Sequence, residues 1–178
     1  MDVDTIGNAF LRQALTRFEK LRDLGTGALD QLEPADLHYA AGSEDNSIAV
    51  IVKHMHGNML SRWTDFLSSD GNKPWRDRDG EFTCSGSESH EQVRAWWDEG
   101  WALTLTTIAS LTPADLERDV TIRGVPLSVM DAILRQLSHY GYHTGQIVYL
   151  ARMRRGTEWR TLSIAKGKSE EYVARVGD

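Results

Sequence analysis

The chain has 178 residues, enough for one domain with a real core, and 40% of them are hydrophobic, fewer than a membrane protein needs. Its formal net charge of -6 opposes binding to a phosphate backbone, and its single cysteine excludes an intrachain disulfide, a thiolate zinc cage and a two-cysteine redox motif. The start Met1-Asp2-Val3-Asp4 lacks the basic and apolar regions of a signal peptide, and no apolar run approaches a membrane span, so residues 1–178 read as one cytosolic domain with neither a membrane nor nucleic acid as partner.

Ile6, Phe10, Ala14, Phe18, Leu21 and Ala28 recur at helical steps and predict a first helix that bends at Gly25 and Gly27 and stops at Pro34. A second helix is capped by Asn46 or Ser47, buries Ile48, Ile51, Val52, Met55, Met59, Trp63 and Phe66, and is closed by Gly71. On that wheel His54 flanks the apolar arc in a stripe with Asn58 and Asp65, while His56 lies nearer its centre beside Val52 and Leu60. A histidine near an apolar centre is more often packed than ligating, which favours His54 as the functional one, but periodicity alone leaves both open.

The polar stretch from Asp70 to Ser89 reads as a loop, and Cys84 within it as a loop thiol rather than a nucleophile. A third helix starts after Ser87 or Ser89 and carries Val93, Trp97, Trp101, Thr104, Ile108 and Leu111. Trp96, Trp97 and Trp101 suit core or interface filling better than a pocket wall. Thr112-Pro113 with Asp115 caps a short turn, and Val120 to Val125, centred on Arg123-Gly124, suggests a small β-hairpin. The fourth helix should run from about Val129 to Arg154, with Ser128 and Asp131 as a capping box, Pro126 before it and Gly156 just beyond. The expected fold is therefore all-α, a four-helix bundle with a hairpin ahead of its last long helix.

On the fourth helix Val129, Ile133, Leu137, Tyr140 and Ile147 form the apolar arc, and Arg135, His139, His143 and Gln146 form a stripe along its flank. His139 and His143 are one turn apart, about 6 Å along the axis, so both imidazoles can tilt toward one ion. With a third histidine from another helix they would make a three-histidine set with an open position, the arrangement of a catalytic zinc-type site. Hydrogen-bonding histidines at the core edge would show the same spacing without a metal. Tyr140 and Tyr142 point to different sides, so at most one can serve such a site. Gly141 and Gly145 share a face away from the histidines, suited to close helix packing or a dimer seam, and Arg152, Arg154 and Arg155 complement the helix dipole.

These residues also carry a resemblance. Asn46-Ser47-Ile48-Ala49-Val50-Ile51-Val52-Lys53-His54, Gly57-Asn58-Met59 and Ser61-Arg62-Trp63-Thr64-Asp65-Phe66-Leu67 are followed by Asp70-Gly71, Lys73-Pro74-Trp75-Arg76 and Arg78-Asp79. Then come His139-Tyr140, His143, Gly145-Gln146-Ile147-Val148-Tyr149-Leu150-Ala151-Arg152, and Trp159 with Leu162-Ser163-Ile164. In content and order these blocks resemble the DinB-like (YfiT-like) metalloenzymes, and most closely a branch whose members are mostly uncharacterised. The resemblance implies a four-helix bundle holding one divalent metal, zinc or nickel ahead of iron or manganese, through His54 of the second helix and His139 and His143 of the fourth. It also implies a homodimer, and, from relatives that are transferases and isomerases, a low-molecular-weight thiol such as bacillithiol or mycothiol as cosubstrate with a small electrophile. Asn58 and Gln146 are candidate hydrogen-bonding supports for the ligands.

Three function classes follow: a metal-dependent thiol transferase, a non-catalytic dimeric metal-binding or stress-related protein, and a hydrolase using metal-activated water. The hydrolase lacks its usual base, because the residues between His139 and His143 are Tyr140, Gly141 and Tyr142 rather than the glutamate-containing insert of a metalloprotease.

Overall fold

Residues 3–40 and 42–172 are described by a computed structural model. Met1, Asp2 and residues 173–178, the ends of the leader and tail readings, lie outside the described residues. Four long helices, α1 (Val3–Leu29), α2 (Ile48–Trp63), α3 (His90–Ser110) and α4 (Val129–Arg155), form the fold. A two-stranded antiparallel hairpin, β1 (Asp119–Ile122) and β2 (Val125–Ser128), precedes α4. The helices are adjacent in the cyclic order α1, α3, α2, α4, so α2 and α4, which carry the histidines, are neighbours.

The chain chemistry explains most boundaries. Ser47, Ser89 and Ser128 each accept a hydrogen bond from the backbone N–H three residues on, satisfying an orphan donor at the starts of α2, α3 and α4. Gly156 closes α4 at φ +50°. The hairpin turns on Arg123 and Gly124 at φ +56° and +72°, the left-handed pair of a two-residue turn that matches strand twist. Arg154 and Arg155 are ion-paired with Asp36, so the basic end of α4 is tied into the fold.

Two helix ends and one face differ from expectation. α1 stops at Leu29, short of Pro34, which instead opens a separate 3-10 turn, Pro34–His38, capped by Glu33 and Asp36. It passes unbroken through Gly25, where an added Cβ would meet the Trp97 ring at 2.3 Å, so this glycine permits close packing against α3. Ile6 is exposed, because Gly7 beside it is the residue that rests on Pro113. α2 ends at Trp63, with Thr64 extended and Asp65 at φ +50°, so Phe66 packs on Trp63 from beyond the helix and Gly71 does not close it. Pro126 lies within β2, opposite Thr121, rather than simply ahead of α4.

The core is aromatic at its centre. Phe18, Trp63, Trp101 and Tyr140 are all buried, with ring centroids 5.6–6.3 Å apart in tilted and edge-on pairs. Trp97 joins them, donating its indole N–H to Thr26 at 3.0 Å, whereas Trp96 lies half-buried against His56. No helix among the described residues is long and apolar enough to cross a membrane.

Candidate metal centre

His54, Asn58 and Arg62 recur every fourth residue on α2, and Arg135, His139 and His143 recur every fourth residue on the neighbouring α4, so two helical stripes face each other. His54 is 4% exposed, deeper than its flanking place on the wheel implies, because the 64–89 segment folds over it and Phe82 stacks on its ring at 4.6 Å. Several bonds hold that segment down. Ser61 and Arg62 donate to the Gly71 carbonyl, the Lys73 backbone N–H donates to the Ser61 hydroxyl, and Lys53 donates to the Thr83 carbonyl.

The three imidazoles converge. His139 Nε2 lies 3.3 Å from His54 Nε2 and 3.0 Å from His143 Nε2. The δ nitrogens of the outer pair are engaged elsewhere: His54 Nδ1 donates to Glu81 Oε2 at 2.9 Å and His143 Nδ1 to Gln146 Oε1 at 2.8 Å. In neutral rings that leaves both ε nitrogens bare, so their lone pairs meet beside His139, which can supply at most one proton between them. A small cation resolves such a conflict. Separations near 3.3 Å are those of nitrogens bound about 2.0–2.1 Å from a tetrahedral zinc-type ion, so the donor set fits a divalent metal. Burial, the other two imidazoles and then Arg76 and Arg62 push the His139 pKa down to about 3, and burial lowers His143 as well, so these two imidazoles are held neutral.

Glu81 anchors this geometry. Its two oxygens also accept from Arg76 Nε at 2.7 Å and Nη2 at 2.8 Å. Burial raises its pKa, but the bonds from Arg76 and His54 outweigh that and keep it below the ordinary carboxylate range. The carboxylate lies directly on Gly57, whose added Cβ would stand 2.3 Å from Oε1. The glycine within α2 thus makes room for the group that orients His54.

Beside His54 and His139 opens a cavity of about 380 Å³, lined by Arg62, Arg76, Arg78, Arg123, Arg135 and Gln136. Ile122 and Val125 of the hairpin form its apolar side. The chain matches, over residues 5–168, a family described as protein of unknown function (DUF1572). It belongs to that family. No curated protein matches this DUF1572 chain.

Of the residues singled out from the DUF1572 sequence, His54, His139 and His143 come together as a cluster that could hold a metal ion. Gln146 bonds His143 and donates to the Tyr142 hydroxyl at 3.1 Å. Asn58 lines the cavity but spends its Oδ1 on the Tyr140 hydroxyl, itself buried and bonded by Trp63, so Tyr140 is a core residue. His56 points instead to α3, paired with Glu99 at 2.8 Å, and thus lies outside both the site and the apolar centre assigned to it by the wheel. Cys84 packs on the core edge, its pKa raised by burial and by Glu88, which argues against an activated thiol. Glu81 and the arginines were not singled out as site residues. A ligand histidine calls for a second-nitrogen acceptor, but Asp70, Asp77, Asp79, Glu81 and Glu88 all lie in the same loop.

Proposed function

We propose that the protein is a divalent-metal-dependent enzyme that joins a small thiol to an electrophile, with zinc or nickel held by His54, His139 and His143. The observation that carries the metal reading is the meeting of bare ε nitrogens at 3.0–3.3 Å while Glu81 and Gln146 hold the protons at the far side. A divalent cation at this point would supply Lewis acidity, lowering the pKa of a thiol that enters its open position. In the reaction the cosubstrate sulfur bonds to the electrophilic carbon, the leaving group departs with its electron pair, and the thiol proton passes to solvent. The resemblance to DinB-like metalloenzymes supports the thiol.

The cavity wall favours thiol attack over hydrolysis. None of its lining residues is a carboxylate, and Glu81, which bonds His54, is held by Arg76, so the lining offers no free carboxylate base for water. We propose further that the protein acts as a homodimer through the exposed face of α4.

The test is metal analysis of untagged protein, with its His143→Ala variant, followed by an assay of bacillithiol, mycothiol, glutathione and coenzyme A against a haloarene and an epoxide. The wild type should carry about one divalent ion per chain, the variant much less with its helical signal intact, and activity should disappear with the metal yet survive Cys84→Ser. Unchanged metal content in His143→Ala would place the ion elsewhere. Equal rates for apo and metal-loaded protein with all four thiols would leave a non-catalytic metal-binding protein.

A further inference from the structure

The cavity beside the histidines has a second chemical character. Five arginines line its wall and no carboxylate does, in a chain whose formal net charge is -6. They come from separate elements: Arg62 from α2, Arg76 and Arg78 from the covering loop, Arg123 from the hairpin turn and Arg135 from α4. Arg76 is neutralised by Glu81. Among the described residues, no carboxylate lies within ion-pair distance of Arg62, Arg78, Arg123 or Arg135.

Arg62 is the decisive member. It is only 8% exposed, its Nη1 donates to the Gly71 carbonyl, and its Nε has no hydrogen-bond partner. A buried guanidinium without a counter-ion is costly, and burial beside Arg76 pushes its pKa down to about 10. An anion in the cavity would relieve that cost. Gln136, 3% exposed on the same wall, keeps an unpaired side-chain oxygen that could accept from a ligand hydroxyl.

We infer that this cavity binds a small molecule through a dianionic group, a phosphate or a dicarboxylate, clasped by Arg62, Arg78, Arg123 and Arg135 with its reacting end toward His54 and His139. The last part rests on the metal reading above; the anion site does not. A volume of about 380 Å³ suits a small metabolite. Guanidinium forks pair with carboxylate or phosphate oxygens through two parallel N–H···O bonds, so convergent arginines select an oxyanion over a neutral substrate of the same size.

Calorimetric titration of the metal-loaded protein with inorganic phosphate and with malonate tests this, since the tighter of the two identifies the anion class. Arg78→Gln, Arg123→Gln and Arg135→Gln break no ion pair, so each should fold with its metal content unchanged. Each should weaken the tighter anion several-fold, and the triple variant at least tenfold. Arg62→Lys, which keeps the charge but not the fork, should also weaken it. Anion binding that is lost in His143→Ala but unchanged in the triple arginine variant would mean that the ion alone binds the anion, and would overturn the inference while leaving the metal site standing. No binding of either anion by wild type would overturn it too. Arginine-dependent binding by a protein that holds no metal would uphold the anion site and remove the metal reading instead.

Discussion

Glu81 links the covering loop to α2: it accepts from His54 Nδ1 while Arg76 grips both of its oxygens. Losing such a support for a ligand histidine typically weakens metal binding about 10- to 100-fold. Glu81→Gln should therefore lower metal affinity by that order in a chelator competition with little change in helical content. Gly57→Ala should act in the same direction, since its Cβ would stand 2.3 Å from Oε1 and displace the carboxylate. Wild-type affinity in both variants would show that His54 needs no such support. At this scale His139 and His143 were readable from sequence because helical spacing determines which residues share a face, whereas the choice of His54 over His56 came from the resemblance. Glu81 and the arginines were not, because nothing local says which loop carboxylate folds over which helix. The same covering loop explains why His54 is deep, while His56, turned toward Glu99 of α3, is only partly buried, the reverse of what the wheel alone suggests.

Among the elements, the hairpin depends on a loop residue. Asp70 accepts from the backbone N–H groups of Arg123 at 2.9 Å and Gly124 at 2.7 Å, tying the covering loop to the turn that brings Arg123 to the cavity. These bonds, Gly124's first, hold its carboxyl down to about 2. Because the folded pKa lies below the unfolded one, the stabilisation is complete above about pH 4 and fades as pH falls toward 2. Asp70→Ala should cost about 1–2 kcal/mol at neutral pH in a denaturant titration and reduce the acid sensitivity of unfolding between those limits. A loss as large at pH 2 as at pH 7 would contradict this origin. The serine-capped helix starts and the Arg123-Gly124 turn were readable from sequence, since a hydroxyl or a left-handed dipeptide acts locally. The ends of α1 and α2 were not: the chain leaves α1 five residues before Pro34, and Gly71 is fixed by Ser61, Arg62 and Thr121 rather than by a helix cap.

For the whole molecule, α4 exposes Met130, Leu134, Tyr149 and Met153, with Gly141 and Gly145 between them, where an added Cβ would meet no other atom. A second copy packed on this face gives the proposed dimer, whose interface should bury upward of about 1,000 Å². Light scattering at micromolar concentration should give twice the chain mass, and Leu134→Glu should halve it; a monomer throughout would reject the dimer. The histidines have a consequence at the same scale. His54 and His139 are 85 residues apart in sequence, so one ion held by both would close most of the α2-to-α4 segment into a ring that the denatured chain cannot keep. Each tenfold rise in free metal above the dissociation constant would add about 1.4 kcal/mol to the folded state. The temperature at which the bundle melts would then rise and fall with the metal supply, making heat resistance a gauge of how much ion the surroundings provide.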